Sequence, residues 1–140
     1  MIVENILMEF QVSGAGMYEI TTEVNDKIRP LQIQSGMLNL FIRHTSASLM
    51  IQENADPSAK RDLEVWLDRL VPENDLLYTH IAEGADDMPA HIKAMLTAVS
   101  LSIPISEGSP MLGTWQGIFL WEHRSAPHKR QIVLNASGKR

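Results

Sequence analysis

The feature that most narrows the fold of this chain is a period-two alternation that returns in segments far apart in the sequence. Ile6, Met8, Phe10 and Val12 point one way, with Asn5, Leu7, Glu9 and Gln11 between them. Leu38, Leu40 and Ile42 alternate in the same manner against Asn39, Phe41 and Arg43. This period turns successive side chains to opposite faces, so each segment reads as a half-buried strand. Gly14-Ala15-Gly16 turns the chain after the first of them, and a short strand around Met17 to Ile20 follows. "SASLMIQE" reads as a partner to the Leu38 strand, with "HTSA" as the bend between them. "LSIPIS" alternates too, and its Pro104 predicts a sheet edge or a bulge. "GTWQGIFLWEHR" and "RQIVLNA" complete roughly seven strands, the last two joined by the polar "RSAPHK".

Two longer stretches change period. In "NADPSAKRDLEVWLDRLVP", Asp56 and Pro57 form a helix start, and Pro72 ends the helix. Leu63, Trp66, Leu67 and Leu70 share one face of it. "DDMPAHIKAMLTAVS" opens with Asp86, Asp87 and Pro89 and directs Ile92, Met95, Leu96 and Val99 toward the core. A shorter helix in "TTEVNDKIRP" would be capped by Thr21 or Thr22 and disrupted by Pro30. Roughly seven strands with two principal helices predict an α+β class with a largely antiparallel core.

The chain's 140 residues suit one domain, residues 1–140, and its 44% hydrophobic and 21% charged residues suit a packed core rather than disorder. A formal net charge of -5 argues against a nucleic-acid partner. With no cysteine there is no disulfide framework, thiolate metal site or cysteine nucleophile. No apolar run reaches the roughly 20 residues of a membrane helix, so no membrane partner is expected. The acidic opening "MIVENILMEF" lacks the basic start of a secretory signal, and the expected location is cytoplasmic.

Phosphate-loop, HExxH, G-x-S-x-G and EF-hand fingerprints are absent. The candidate residues lie at element ends instead. His44, followed by Thr45 and Ser46, suits a metal ligand or a general acid/base; the alternative is a histidine bonded to nearby backbone. Asn54 and Asp56 are natural turn and cap residues, and they stand where a helix N-terminus could receive a phosphate. His91 lies near the start of its helix, where the macrodipole favours the neutral, metal-binding imidazole. Asp86 and Asp87 precede it as caps or as carboxylate partners. His80 adds a third imidazole. In "GTWQGIFLWEHR", Trp115, Gly117, Phe119, Trp121 and His123 share one face. Thr114, Gln116, Ile118, Leu120 and Glu122 share the other, so Gln116 and Glu122 would form a polar rim facing His44, His80 and His91.

Four ordered blocks, "HTSASLMIQENADP", "DLEVWLDRLVPEND", "HIAEGADDMPAHIKAML" and "LGTWQGIFLWEHR", resemble the YjbQ family from about Gly36 to the C-terminus. The resemblance implies a compact, β-sandwich-like fold that assembles as a homotrimer. It also implies a secondary, low-efficiency thiamine-phosphate synthase activity, joining the pyrimidine diphosphate and thiazole phosphate halves of thiamine. The family's polar pattern falls on His44, Thr45, Ser46, Asn54, Asp56, His80, Asp87, His91, Gly113, Thr114, Trp115, Gln116, Gly117 and Glu122. On that basis His44, His91 and Glu122 are the expected catalytic residues. Thr45, Ser46, Asn54, Asp56, Thr114, Trp115 and Gln116 are expected to bind a small phosphorylated substrate. His44, His80, His91 and Asp87 are the expected ligands of a divalent ion, Mg or Zn. His123 and His128 are weaker candidates. A metal-dependent hydrolase or phosphate-ester enzyme, and a small-anion-binding trimer, stand as alternatives.

Overall fold

A computed structural model describes all 140 residues. The order is β1 (Ile2–Val12), β2 (Gly16–Glu19), α1 (Thr21–Ile28) with a 3₁₀ turn at Arg29–Leu31, β3 (Ser35–Ile42) and β4 (Ala47–Glu53). There follow α2 (Pro57–Leu70), α3 (Asp87–Leu96), β5 (Ser100–Ser106), β6 (Ser109–Pro110), β7 (Gln116–Glu122) and β8 (His128–Lys139). Every strand pairing is antiparallel. A five-stranded sheet runs β1-β8-β3-β5-β6 and a three-stranded sheet runs β2-β7-β4. The α+β class and the sandwich-like core are therefore as expected, with the two-residue β6 as an additional strand.

The alternation places the inner faces correctly. Leu38, Leu40 and Ile42 of β3 meet Ile132 and Leu134 of β8, and across the gap they meet Leu49, Ile118 and Leu120 of the smaller sheet. Val24 and Ile28 of α1 close one end of this core. At roughly 25 cal/mol per Å2 of apolar surface, each such aliphatic side chain contributes about 1.5–3 kcal/mol. Pro104 of β5 sits next to the edge, where only the short β6 lies beyond, and its carbonyl accepts the Met111 N–H on that side at 2.8 Å.

Four details differ from the sequence reading. β4 does not pair with β3: the chain crosses at "HTSA" from the larger sheet into the smaller one. Thr21 is not a cap. It is the first residue of α1, and its hydroxyl accepts the Ile118 N–H and donates to Glu19. Of the α2 stripe only Leu67 is fully buried, against Met17, Phe119 and Trp121, while Trp66 is 60% exposed. On α3 the buried residues are Asp87, Pro89, Ala90 and Ala94, whereas Met95 and Leu96 are exposed, as is Val99 beyond the helix end. The reason is common to both helices. A three-stranded sheet offers too little apolar area to cover two full helical faces, and α3 turns its small and acidic side inward.

Candidate functional site

Asp56 caps α2 by accepting the Ser58 N–H at 2.9 Å, and this bond lowers its pKa. On α3 an acidic residue is itself buried: Asp87 is 2% exposed. Its two oxygens have separate partners. Oδ1 accepts from Arg124 Nη1 at 2.8 Å, while Oδ2 lies 2.8 Å from His80 Nε2 and 3.3 Å from His91 Nε2. His91 is one helical turn beyond Asp87, which is why both reach the same point. The loop after α2 returns His80 to them, with its ring 5.4 Å from that of His91. One ligand atom from each of the three residues lies within 4.8 Å of the others.

One hydrogen in this cluster is fixed by its hydrogen-bond partner. His91 Nδ1 lies 3.1 Å from the Thr45 carbonyl, which only accepts, so Nδ1 carries a hydrogen. In the neutral ring Nε2 is then a lone pair facing a carboxylate oxygen. That arrangement is unfavourable unless a proton on Nε2 or a metal ion supplies positive charge between them. The Thr45 carbonyl thus acts on His91 as outer partners act on metal-bound histidines, setting the tautomer and the ring orientation. Tetrahedral bonds of about 2.0–2.1 Å to both atoms would separate them by about 3.3 Å, so Asp87 and His91 already stand at metal-ligand spacing, while His80, 2.8 Å from the same oxygen, would have to withdraw by about 0.5 Å.

Arg124 holds the carboxylates in place. It donates to Asp86 Oδ2 at 3.0 Å, to Asp87 Oδ1 and to the Glu83 carbonyl. The hydrogen bond to Asp86 raises the Arg124 pKa. Burial acts against ionisation of Asp86, but the Ser125 N–H and Arg124 outweigh it and hold its pKa at about 2. Two carboxylates thus share one guanidinium. The sequence reading does not single out Arg124, which directly follows the weaker candidate His123. Its place just beyond a strand end was the available signal.

Glu122 faces the inter-sheet core, on the same side of β7 as Ile118 and Leu120 as the alternation requires. It is buried and takes two hydrogen bonds from Arg130 of β8, so the pair joins the two sheets. Arg130 also donates to the Ser46 hydroxyl and carbonyl. Glu122 Oε2 accepts the Arg124 N–H and so links this pair to the Asp87 cluster. Arg130 was not singled out from sequence. His123 is buried beside Ser48 Oγ at 2.9 Å, and burial, then the charges of Lys93 and Arg130, lower its pKa to about 3.

His44 stands outside the cluster. Its Nε2 accepts the Gln131 N–H at 2.8 Å, which was the backbone-bonded alternative for this residue. Burial lowers its pKa, with Arg130 adding to the effect. The other motif residues lie at the opposite end of the β4–β7 ladder, which runs from Ala47↔Glu122 to Glu53↔Gln116. Asn54 donates to Glu19 Oε2 at 3.1 Å, and its N–H reaches the Trp115 carbonyl. Gln116 Oε1 accepts the Gly113 N–H at 2.8 Å. Thr114 and Trp115 form the turn before β7, and Trp115 is exposed rather than packed on the aromatic face. A Cβ on Gly117 would lie 2.7 Å from Glu19 Oε2 and 2.9 Å from Asn54 Cβ, so this close approach requires glycine. Six strand residues, roughly 20 Å, separate this group from the histidines. Gln116 and Glu122 share a face but not a site.

Residues 7–139 match the family model described as UPF0047 protein YjbQ-like. A UPF0047 protein of Synechocystis is 44% identical over 133 residues, covering 95% of this chain and 90% of the relative. UPF0047 protein YjbQ of Salmonella typhimurium is 45% identical over 125 residues, covering 89% and 90%. The crystal structure of a YjbQ/UPF0047-family protein from Clostridium acetobutylicum superposes with a TM-score of 0.82 at 34% identity, over 93% of this chain and 99% of that one. A match over nearly the whole chain, in both sequence and fold, means that the chain belongs to the YjbQ/UPF0047 family.

Proposed function

We propose that this protein is a divalent-metal-dependent enzyme acting on a small phosphorylated substrate, with His80, Asp87 and His91 as the metal ligands. The observation that supports this most strongly is His91 Nε2 facing Asp87 Oδ2 at 3.3 Å while Nδ1 is committed to the Thr45 carbonyl. Two imidazoles and one carboxylate suit zinc better than magnesium, which prefers oxygen ligands. A bound ion would supply positive charge for phosphate oxygens and for a departing diphosphate. In this reading Asp87 and the two histidines hold the ion, Arg124 fixes the carboxylate, and the half-exposed His80 leaves one side open to substrate.

Within that class we assign the secondary thiamine-phosphate synthase reaction. The carbon–oxygen bond of the pyrimidine diphosphate breaks, the thiazole nitrogen forms the new carbon–nitrogen bond, and diphosphate leaves with the electron pair. The step needs alignment and charge neutralisation more than proton transfer, which a cation site without a dedicated base provides. Metal-dependent phosphate-ester hydrolysis is the second reading, favoured by the solvent access of His80. We place the enzyme in the cytoplasm as a homotrimer. Leu76, Leu77 and Ile81, strongly exposed on the loop that carries His80, support such an assembly.

One set of measurements tests these assignments. Protein purified without a histidine tag is analysed for metal, then incubated with both heterocyclic phosphates. Thiamine phosphate formation that stops with chelator and in His91→Ala supports the synthase. Orthophosphate release without coupling supports the hydrolase. Full activity in chelator removes the metal from the mechanism.

A further inference from the structure

His91 also borders a hollow of about 230 Å3, which does not include Asp87 and is lined by His44, Thr45, His91, Ala94, Met95 and Val99. It is smaller than the roughly 300 Å3 at which pockets for whole drug-sized ligands begin, so it suits a single ring. Its walls are mainly apolar, and its polar lining comes from the two imidazoles and Thr45. The Gln131 N–H occupies His44 Nε2 at 2.8 Å, so the neutral ring carries its hydrogen on Nδ1. Nδ1 has no partner within the protein, and no buried side-chain nitrogen is left unsatisfied, so this donor is open to a ligand. A backbone amide holds the ring in place, and β8 holds the amide.

We propose that this hollow is the subsite for the heteroaromatic ring of the phosphorylated substrate, with His44 Nδ1–H donating to an acceptor nitrogen of that ring. The assignment rests on the metal-dependent reading, because His91 is shared: its Nε2 faces the ion position and its ring lines the hollow. Phosphate at the ion and ring in the hollow would then both be held next to one side chain. His44 is a specificity-determining residue here and neither a metal ligand nor a proton carrier. The aminopyrimidine diphosphate fits this description, since its ring nitrogens accept.

The test compares the aminopyrimidine diphosphate with inorganic diphosphate, each titrated calorimetrically into zinc-loaded protein. His44→Asn keeps an N–H near the Nδ1 position, whereas His44→Leu has none. Both leave the Gln131 amide without its acceptor, so any general damage is shared. Wild type and His44→Asn should prefer the pyrimidine ligand by about tenfold or more, and His44→Leu should lose that preference while binding inorganic diphosphate as before. No preference in wild type, or indistinguishable preferences in the two variants, overturns the subsite. A separate titration with zinc alone keeps the two ideas apart: all three proteins should bind it equally. Failure of wild type to bind zinc defeats the metal reading itself.

Discussion

Asp87 and His91 lie one turn apart on α3, with Oδ2 of the first 3.3 Å from Nε2 of the second, while Arg124 holds the other carboxylate oxygen at 2.8 Å. The buried carboxylate therefore has one fixed oxygen and one that points at two imidazoles. Its substitution separates metal binding from folding. Asp87→Asn should bind zinc at least about 100-fold more weakly than wild type and lose most of the thermal shift that zinc produces. Calorimetric titration with zinc checks this, and unchanged affinity would remove Asp87 from the ligand set.

Arg124→Gln leaves every proposed ligand in place but frees Asp87 Oδ1 and Asp86 Oδ2. Partners of metal ligands commonly account for about 10–100-fold in affinity. A loss in that range, with the metal-to-protein ratio still one, is expected in the same titration. An unaltered dissociation constant would show that the carboxylate is held without the guanidinium.

Glu122 was expected from the family pattern to be catalytic, but its two bonds to Arg130 join the sheets. Glu122→Gln leaves a buried guanidinium without its counter-ion and should cost about 3–5 kcal/mol in urea unfolding. The double variant Glu122→Gln, Arg130→Met should recover part of that loss. If Glu122→Gln unfolds like wild type yet is inactive, the residue acts in chemistry rather than in holding the sheets.

Acid sensitivity should trace to His123. Its folded pKa, about 3, lies below the ordinary value of 6.5, so between these limits the unfolded chain binds the extra proton. The stability gained from a neutral buried His123 is complete above about pH 6.5 and declines as pH falls toward 3. Roughly 2–3 kcal/mol of the loss between pH 7.5 and 4.5 should be absent in His123→Gln. Urea midpoints at the two pH values measure it, and parallel losses in both proteins would place the acid sensitivity elsewhere.

Asp86 has the same sign but a lower window. Its folded pKa of about 2 lies below the ordinary carboxylate value, so its contribution is present above about pH 4 and disappears as pH falls through 2. Asp86→Asn should lower stability at pH 6 by up to about 2 kcal/mol and converge with wild type near pH 2. A stability gap that persists unchanged at pH 2 would mean that the Asp86 charge is not its cause.

Much of this molecule is legible without coordinates, because it depends on neighbours in sequence. Alternation of 2 fixes which faces of β1, β3 and β7 turn inward, and Ile118, Leu120 and Glu122 do share the inner face. Asp56 and Pro57 mark the start of α2, since a cap is a bond between residues two apart. His80, Asp87 and His91 all appear among the residues named from the family's motifs, and the i,i+4 spacing of the last two already places them together on one helix face.

Everything that depends on which element meets which was decided by the tertiary structure. The apolar stripe of α2 does not reveal that a three-stranded sheet will cover only its middle, nor does α3 reveal that Asp87 goes inward and Met95 outward. His44 and His91 look equivalent as strand-end and helix imidazoles, yet the Gln131 amide takes the Nε2 of one and the Thr45 carbonyl takes the Nδ1–H of the other. Opposite nitrogens are thereby left free, so two similar histidines become a hydrogen-bond donor and a metal ligand candidate. Arg124 and Arg130 matter through carboxylates 37 and 8 residues away. Periodicity and capping act over a few residues and can be read from order alone. Burial and long-range hydrogen bonding depend on contacts that exist only once the two sheets and α3 have packed.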